Sequence, residues 1–229
     1  MEKDRIGGLL DALEAFHGIQ QPNWPTDPYL FLVGWHCGYP ASYAACAKGW
    51  DSLKSRIGVE PEQILAANPA KLADALKPGG MMPELRAMHL KEIAERIQKE
   101  FDGDLRAALV RLPISKARAA LKKFPGIADP GVDRILLFAG ISPVAAVPSN
   151  CPHVLVRIET GKEPENYGRT YSEAHRIIEM GVPLKFDARI RAYLLLKCHG
   201  QKLCKRSKPR CGDCPVAVSC AFAIRQKVG

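Results

Sequence analysis

Four of the eight cysteines in this 229-residue chain lie together near its C-terminal end. Cys204, Cys211, Cys214 and Cys220 are separated by six, two and five residues. Thiolates this close together in an intracellular chain are typical of metal ligands. Zinc sites usually pair their cysteines in two short CxxC knuckles, and the ferredoxin runs that hold iron–sulfur clusters are spaced differently again. The sequence therefore predicts a four-thiolate metal site and leaves the metal open.

Spacing and flanking residues together resemble the [4Fe–4S] loop of the endonuclease III family, which belongs to the helix-hairpin-helix DNA glycosylases. The resemblance is carried by C-x6-C-x2-C-x5-C, by His199-Gly200 before it and by Lys-Pro-Arg before the second cysteine. It implies a structural [4Fe–4S] cluster bound by the four cysteines, with a zinc knuckle or a disulfide knot as the alternatives. The other cysteines have no role in this interpretation: Cys37, Cys46, Cys151 and Cys198.

The resemblance also implies an all-α fold of two domains with a cleft between them. We expect a six-helix barrel with the helix-hairpin-helix over residues 28–140, and an iron–sulfur cluster domain over residues 1–27 and 141–229. Composition agrees, because aromatic residues make up only 7% and no convincing alternating segment occurs. No apolar run approaches the ~20 residues that cross a bilayer, and no secretory signal opens the chain. We therefore expect a cytoplasmic monomer without a membrane segment.

Local patterns predict individual helices. Prolines near helix starts indicate short helices at 61–67 and 69–76, and another helix is expected over 40–57. Thr170 with Glu173 forms a capping box that predicts a helix start. The remaining span between 140 and 185 is less regular. Three methionines are expected to fill gaps in the core: Met81, Met82 and Met88.

The net charge of +9 is concentrated in one region. Residues 185–229 contain eleven Lys and Arg against two Asp and Glu, while the rest of the chain has 22 of each. Four cations lie between the first two cysteines of the loop: Lys205, Arg206, Lys208 and Arg210. A basic patch on one face is typical of phosphate binding, whereas an evenly spread charge would indicate only a solvated surface. We therefore predict that the loop binds double-stranded DNA.

A second segment resembles the helix-hairpin-helix of the same family. Helices are expected over 115–124 and 132–138, joined by a turn in which Pro125, Gly126, Ala128 and Gly131 are the predicted DNA-binding residues. Glycine permits positive φ and lets backbone N–H groups approach a phosphate. Because the family has a second glycine at the position of Ala128, we expect strain of about 1 kcal/mol or a changed turn.

His36 falls at a position where the family has a glutamine that reaches into the DNA. The preceding run, Tyr29 to Trp35, resembles the first helix of the family's barrel. The resemblance implies that His36 fills a void in the duplex. A histidine packed into a helix end is the alternative interpretation.

Two positions that carry the family's chemistry are prolines here. The resemblance places the lysine that attacks the sugar C1′ at Pro130, and the aspartate that assists departure of the base at Pro148. Proline can neither attack nor transfer a proton, so we expect no lyase activity by the usual lysine. Neighbouring groups are weak candidates for the missing role: Asp129, Asp133 and His153.

Three functions remain open at this point. The first is a base-excision-repair glycosylase whose catalytic groups have moved. The second is a non-catalytic protein that keeps the scaffold and recognises damaged or distorted duplex DNA. The third is a redox sensor whose DNA binding depends on the oxidation state of the cluster.

Overall fold

The structure is a computed structural model that describes residues 2–38 and 43–228. Within those ranges all regular structure is helical, as the sequence predicts. The α-helices are α1 (Glu2–His17), α2 (Pro28–His36), α3 (Tyr43–Arg56), α4 (Pro61–Ala66), α5 (Pro69–Leu76), α6 (Pro83–Phe101), α7 (Leu105–Arg111), α8 (Ile114–Leu121), α9 (Asp129–Phe138), α10 (His153–Thr160), α11 (Tyr167–Gly181), α12 (Phe186–Lys202) and α13 (Ala221–Val228). No helix in this part of the chain is both long and apolar enough to span a membrane.

The helices form two compact units. The central unit comprises residues 23–127, and the terminal unit comprises residues 1–22 and 128–229. The chain crosses between units near residues 22 and 127, whereas the domain boundaries expected from the sequence lie near 27 and 140. Helix α9 accounts for the second difference, because it packs against α12 of the terminal unit. Phe138 on α9 meets Tyr193 on α12 edge to face, with ring centroids 5.1 Å apart.

The central unit is built around α6, which packs against α2, α4 and α5. Leu90, Ile93 and Ile97 recur at helical spacing on its buried face and are fully buried. Arg86 on the same helix is also buried and is surrounded by backbone carbonyls. Its guanidinium donates to the carbonyl oxygens of Cys37 (2.7 Å), Leu76 (2.9 Å) and Gly80 (2.8 Å). These bonds compensate the desolvation of the buried charge and hold three chain segments together.

The terminal unit has a separate core. Helix α1 packs against α11 and α12, and α10 packs against α11, α12 and α13. On α1 the side chains of Ile6, Leu9, Leu10 and Leu13 are buried, whereas Phe16 of the same apolar pattern is 53% exposed. Helix α10 lies in the middle of this unit, and the residues from His153 to Ile158 are all buried. This helix is the platform on which the candidate site is built.

Several local predictions are corrected by the structure. The predicted capping box is wrong: α11 starts at Tyr167, and the Asn166 side chain accepts the capping bond from the Arg169 amide at 3.2 Å. Thr170 is instead fully buried inside the helix. The expected core methionines are exposed, with Met81, Met82 and Met88 at 74%, 56% and 58%. The predicted start of the third helix near Pro40 lies outside the described residues.

Candidate metal centre and nucleic-acid interface

Arg157 on α10 fastens the cysteine loop to the terminal unit. Its guanidinium donates to the backbone carbonyls of Lys205 and Arg206, each at 2.9 Å. The same group lies 4.8 Å from the centre of the Phe222 ring and pairs with Glu163 at 3.2 Å. Arg157 is only 5% exposed, so its charge is compensated by these partners and the loop backbone is held in one place.

His153 adds a second attachment, one helical turn before Arg157. Its Nε2 donates to the carbonyl oxygen of Cys204 at 2.7 Å, because a carbonyl can only accept. The ring is 2% exposed, and burial lowers the pKa of His153. In the structure this candidate catalytic residue is hydrogen-bonded to the backbone of the loop. Its predicted role in catalysis stays a prediction.

The four loop cysteines are free thiols, as are the other four of the chain. Burial, with smaller contributions from the nearby Cys220 and Cys214, raises the pKa of Cys204 to about 11, while Arg157 opposes the rise. Burial also raises the pKa of Cys211 and Cys214, with Cys220 adding to both. These mutual effects show that the four sulfurs lie within electrostatic range of one another. A cation bound among them would favour the thiolate forms.

The donor set consists of four thiolates, which by type and number fit either a [4Fe–4S] cluster or a single zinc ion. Within residues 2–38 and 43–228, no three His, Cys, Asp or Glu side chains are arranged to hold one metal ion. A [4Fe–4S] cluster takes one thiolate on each of its four irons, so its ligands are spaced more widely than those of a single ion. Cys220 belongs to the buried core, and the other three loop cysteines pack against that core. Among the described residues, none of the loop cysteines forms a disulfide.

Two histidines from different helices contact each other, and one of them also contacts a loop cysteine. His199 on α12 is 1% exposed, and its Nε2 lies 3.6 Å from the Cys214 sulfur. Its other ring nitrogen, Nδ1, lies 3.1 Å from Nε2 of His17 on α1. Burial, followed by the neighbouring His17, lowers the pKa of His199 to about 4, so the ring is neutral. In the sequence His199 stands out only as part of a motif, and no signal there points to His17.

The four loop cations are all exposed, but they are not equivalent. Arg206 pairs with Glu163 at 2.7 Å, and Arg210 pairs with Asp213 at 2.7 Å. Lys205 and Lys208 lie on the same exposed stretch of the loop. Exposed ion pairs contribute little stability, so all four side chains could turn toward a phosphate. The two arginines would have to leave their ion pairs with Glu163 and Asp213 to do so. Their predicted role in DNA binding stays a prediction.

The side chain of His36 is hydrogen-bonded to the turn of the predicted hairpin. The His36 ring donates from Nε2 to the Pro125 carbonyl at 3.0 Å and is 4% exposed. Burial lowers its pKa to about 4, so the ring is neutral. Gly126 has φ +68°, which glycine adopts without strain. The structure thus gives His36 a contact inside the protein, while its insertion into DNA stays a prediction.

The first turn of α9 differs from the predicted phosphate cradle. Ala128 has extended backbone with φ −117°, so the strain expected for a non-glycine residue is absent. The Gly131 amide donates to the Ala128 carbonyl at 2.9 Å within the helix. Asp129 is exposed at the helix N-terminus, where its negative charge is favourable. A phosphate bound there would be attracted by the positive end of the helix and repelled by the Asp129 carboxylate.

The two prolines lie in the terminal unit. Pro130 is the second residue of α9, where its missing N–H costs no helical bond. Pro148 is buried, and its carbonyl accepts from the Cys151 amide at 2.8 Å. Asp133 is 1% exposed and accepts a hydrogen bond from the Tyr171 hydroxyl at 2.9 Å. This aspartate is thus engaged within the core of the unit.

Comparison with known proteins agrees with the fold. No protein-family model matches the chain. The chain is 28% identical over 231 residues to the thymine-DNA glycosylase of Aeropyrum pernix, and the match covers 97% of both proteins. Its fold is similar to that of endonuclease III in a trapped covalent intermediate with DNA, with a TM-score of 0.78, 17% identity and 99% of both chains covered. It is also similar to a thermostable thymine-DNA glycosylase, with a TM-score of 0.72, 20% identity and 96% of both chains covered.

The solved structures show the fold, and the sequence match covers nearly the whole chain. Both agree with the all-helical arrangement described above. On this evidence the chain has the fold of endonuclease III and is similar over nearly its full length to a thymine-DNA glycosylase.

Proposed function

We propose that the protein is a base-excising DNA glycosylase that acts on duplex DNA and carries a [4Fe–4S] cluster on its cysteine loop. The observation that best supports this is the attachment of an exposed cationic loop to α10 through Arg157 and His153. A cluster bound by the four thiolates would fix the part of the loop that these two side chains do not reach. The loop would then present its cations to the phosphates of the duplex.

The chemistry is proposed to use groups other than those at positions 130 and 148. A base must leave the stack before its glycosidic bond can be reached. Among the three weak candidates, His153 and Asp133 are buried and hydrogen-bonded, whereas Asp129 is exposed at the start of α9. Asp129 is therefore the carboxylate to test first as the group that stabilises the positive charge developing on the sugar.

Base release from a panel of duplexes tests the glycosylase activity. Thymine and uracil opposite guanine come first, because two similar proteins are named thymine-DNA glycosylases. We expect release from at least one duplex, and a loss of about 100-fold or more in Asp129→Asn. Asp51→Asn, at an exposed position on α3, is the matched control. Equal rates for the wild type and Asp129→Asn would remove Asp129 from the mechanism.

Metal analysis tests the cluster separately. We expect iron and acid-labile sulfide in the purified protein, and loss of both in Cys211→Ser. The matched control is Cys46→Ser, since Cys46 belongs to the central unit and the loop to the terminal unit. Zinc in place of iron would instead establish the zinc knuckle.

A non-catalytic DNA-binding protein is the second candidate function. The two prolines favour it, because neither carries a group that could attack or transfer a proton. It predicts binding to damaged duplexes with no base release from any of them. Release of any base by wild-type protein excludes it.

A further inference from the structure

A pair of buried cations lies between α9 and α12. Arg134 on α9 is 7% exposed and Lys197 on α12 is 8% exposed. The Arg134 guanidinium lies 5.8 Å from the centre of the Tyr193 ring, and Tyr193 is one helical turn before Lys197. Residues four apart share a helix face, so Lys197 lies on the face of α12 that is turned toward α9. Lysine is rarely buried in a protein core.

This face of α9 also carries Pro130. Pro130 and Arg134 are four residues apart, so both lie on the side of α9 that is turned toward α12. The amine of Lys197 is therefore opposed to the helix face on which the family resemblance places a lysine. The chain therefore has a proline at position 130, where the resemblance places a lysine, and the buried amine of Lys197 on the facing helix.

The segment that carries Pro148 borders the same lysine. The Cys151 thiol lies 4.0 Å from the carbonyl oxygen of Lys197. The two segments approach closely because Gly200, one turn further along α12, has no side chain: a Cβ there would lie 2.5 Å from the Cys151 sulfur. The backbone amide of Cys151 donates a hydrogen bond to the Pro148 carbonyl at 2.8 Å. The segments that carry the two prolines thus both contact α12 near Lys197, one through Arg134 and the other through Cys151.

The surroundings of Lys197 suit a nucleophile. An ordinary lysine is protonated at neutral pH and has no lone pair to donate. Burial, followed by the charge of Arg134, lowers the pKa of Lys197 to about 7, while Cys151 and Cys198 oppose this effect. Desolvation and a neighbouring cation are the two conditions that turn a lysine into a nucleophile toward carbonyl groups.

We infer that Lys197 attacks the C1′ aldehyde of an abasic site in duplex DNA and forms an imine with it. This inference rests on the proposed function, since it takes the carbonyl substrate to be the product of base excision. The Nζ lone pair forms a bond to C1′, and a proton from the amine passes to the carbonyl oxygen to give a carbinolamine. Loss of that oxygen as water then gives the imine. Borohydride reduces it by adding hydride to C1′, which leaves a stable secondary amine.

Borohydride trapping on a duplex with a preformed abasic site tests the inference. We expect the wild-type protein to give a covalent adduct, and peptide mass mapping to place the sugar on Lys197. Lys197→Met and Lys197→Arg should lower the adduct yield at least tenfold. Lys202→Met, at an exposed position on the same helix, should keep the wild-type yield. The trapping rate should rise as the pH passes through about 7, as the amine loses its proton.

Two results would overturn the inference. One is the absence of an adduct in wild-type protein that binds the abasic duplex, and the other is an adduct that maps to another residue. If Lys197→Met fails to fold, Lys197→Arg and the mapping of the wild-type adduct still decide the matter. Base release from the lesion panel is measured separately and does not need this amine. Failure of trapping with base release intact therefore rejects Lys197 alone, whereas failure to bind duplex DNA rejects the proposed function.

Discussion

Nδ1 of His199 lies 3.1 Å from Nε2 of His17, and the opposite nitrogen of His199 faces the Cys214 sulfur at 3.6 Å. A thiolate can only accept a hydrogen bond, so a cluster ligand at Cys214 requires the proton of His199 on Nε2. Nδ1 then has to accept, and His17 has to donate. Two helices distant in sequence would thus set the tautomer of one ring that supports a metal ligand.

Replacing His199 by alanine should therefore loosen the proposed cluster. We expect iron loss to a chelator to become about 10-fold faster, in line with the effect of removing a hydrogen bond to a metal ligand. His17→Ala should have a smaller effect in the same direction, because the Nε2–H···S contact can persist without it. The loss of visible absorbance with time measures both. His175→Ala on α11 is the control, and equal rates in all four proteins would contradict the hydrogen-bond chain.

Gly126→Ala should destabilise the central unit by about 1 kcal/mol, because φ at this position is +68°. The added Cβ would lie 3.5 Å from the His36 ring, which is ordinary contact, so the cost is one of backbone conformation. Gly8→Ala adds the same methyl group inside α1, where nothing lies within 4 Å. It should stabilise the protein by roughly 0.5–1 kcal/mol. Urea midpoints with an unchanged slope measure both, and a shift of the same sign in the two variants would refute the explanation.

The pH dependence of stability should include a contribution from His36. Its pKa is lowered to about 4 in the folded protein by burial, followed by the charges of His89 and Arg86, while the bond to Pro125 opposes the shift. The unfolded chain takes up a proton below about pH 6.5, but the folded protein does so only near pH 4. Stability is therefore lost as the pH falls through this window, by up to ~3 kcal/mol.

His36→Gln removes the titrating group, so its stability should fall less than that of the wild type between neutral and acidic pH. Urea unfolding at several pH values measures the difference between the two proteins. Comparing the two cancels the contributions of the other histidines. Parallel curves for wild type and variant would show that His36 does not titrate as its burial requires.

Lys205 and Lys208 should contribute most of the loop's affinity for phosphate. Arg206 and Arg210 already pair with Glu163 and Asp213, and would have to leave these partners. The double variant with Lys205 and Lys208 changed to alanine should bind duplex DNA more weakly. The slope of log affinity against log salt should fall by about 1 for each phosphate that the variant no longer neutralises. Lys71→Ala, exposed on α5, should leave this slope unchanged and serves as the control. An unchanged slope in the double variant would show that the two loop lysines do not neutralise DNA phosphates.

Helices with local start signals were predictable, and the helix that carries the site was not. Helices α4 and α5 begin at Pro61 and Pro69 as predicted, because proline at a helix start and a capping residue before it act within a few residues. Helix α10 was missed, because it is only eight residues long and no side chain caps its start. The capping box failed for a different reason: Thr170 is buried, and its hydroxyl donates to the Pro164 carbonyl at 3.1 Å.

The candidate site shows the same division between local and tertiary information. Cysteine spacing is local, so the four thiols could be found in the sequence. The contacts that hold their loop come from His153, Arg157 and His199, and His199 in turn contacts His17. These residues are brought together only by the packing of α1, α10 and α12. One weak signal existed for two of them, since His153 and Arg157 are four residues apart and share a helix face.

The Arg157 guanidinium holds the carbonyls of Lys205 and Arg206 with groups that need no metal. The course of the chain after the first cysteine is therefore set by α10 independently of the proposed cluster. A newly made, still colourless protein would keep this stretch docked, and a protease would find little extended backbone there to cut. If the proposed cluster is inserted after folding, it would be delivered to thiols that already lie on a folded support.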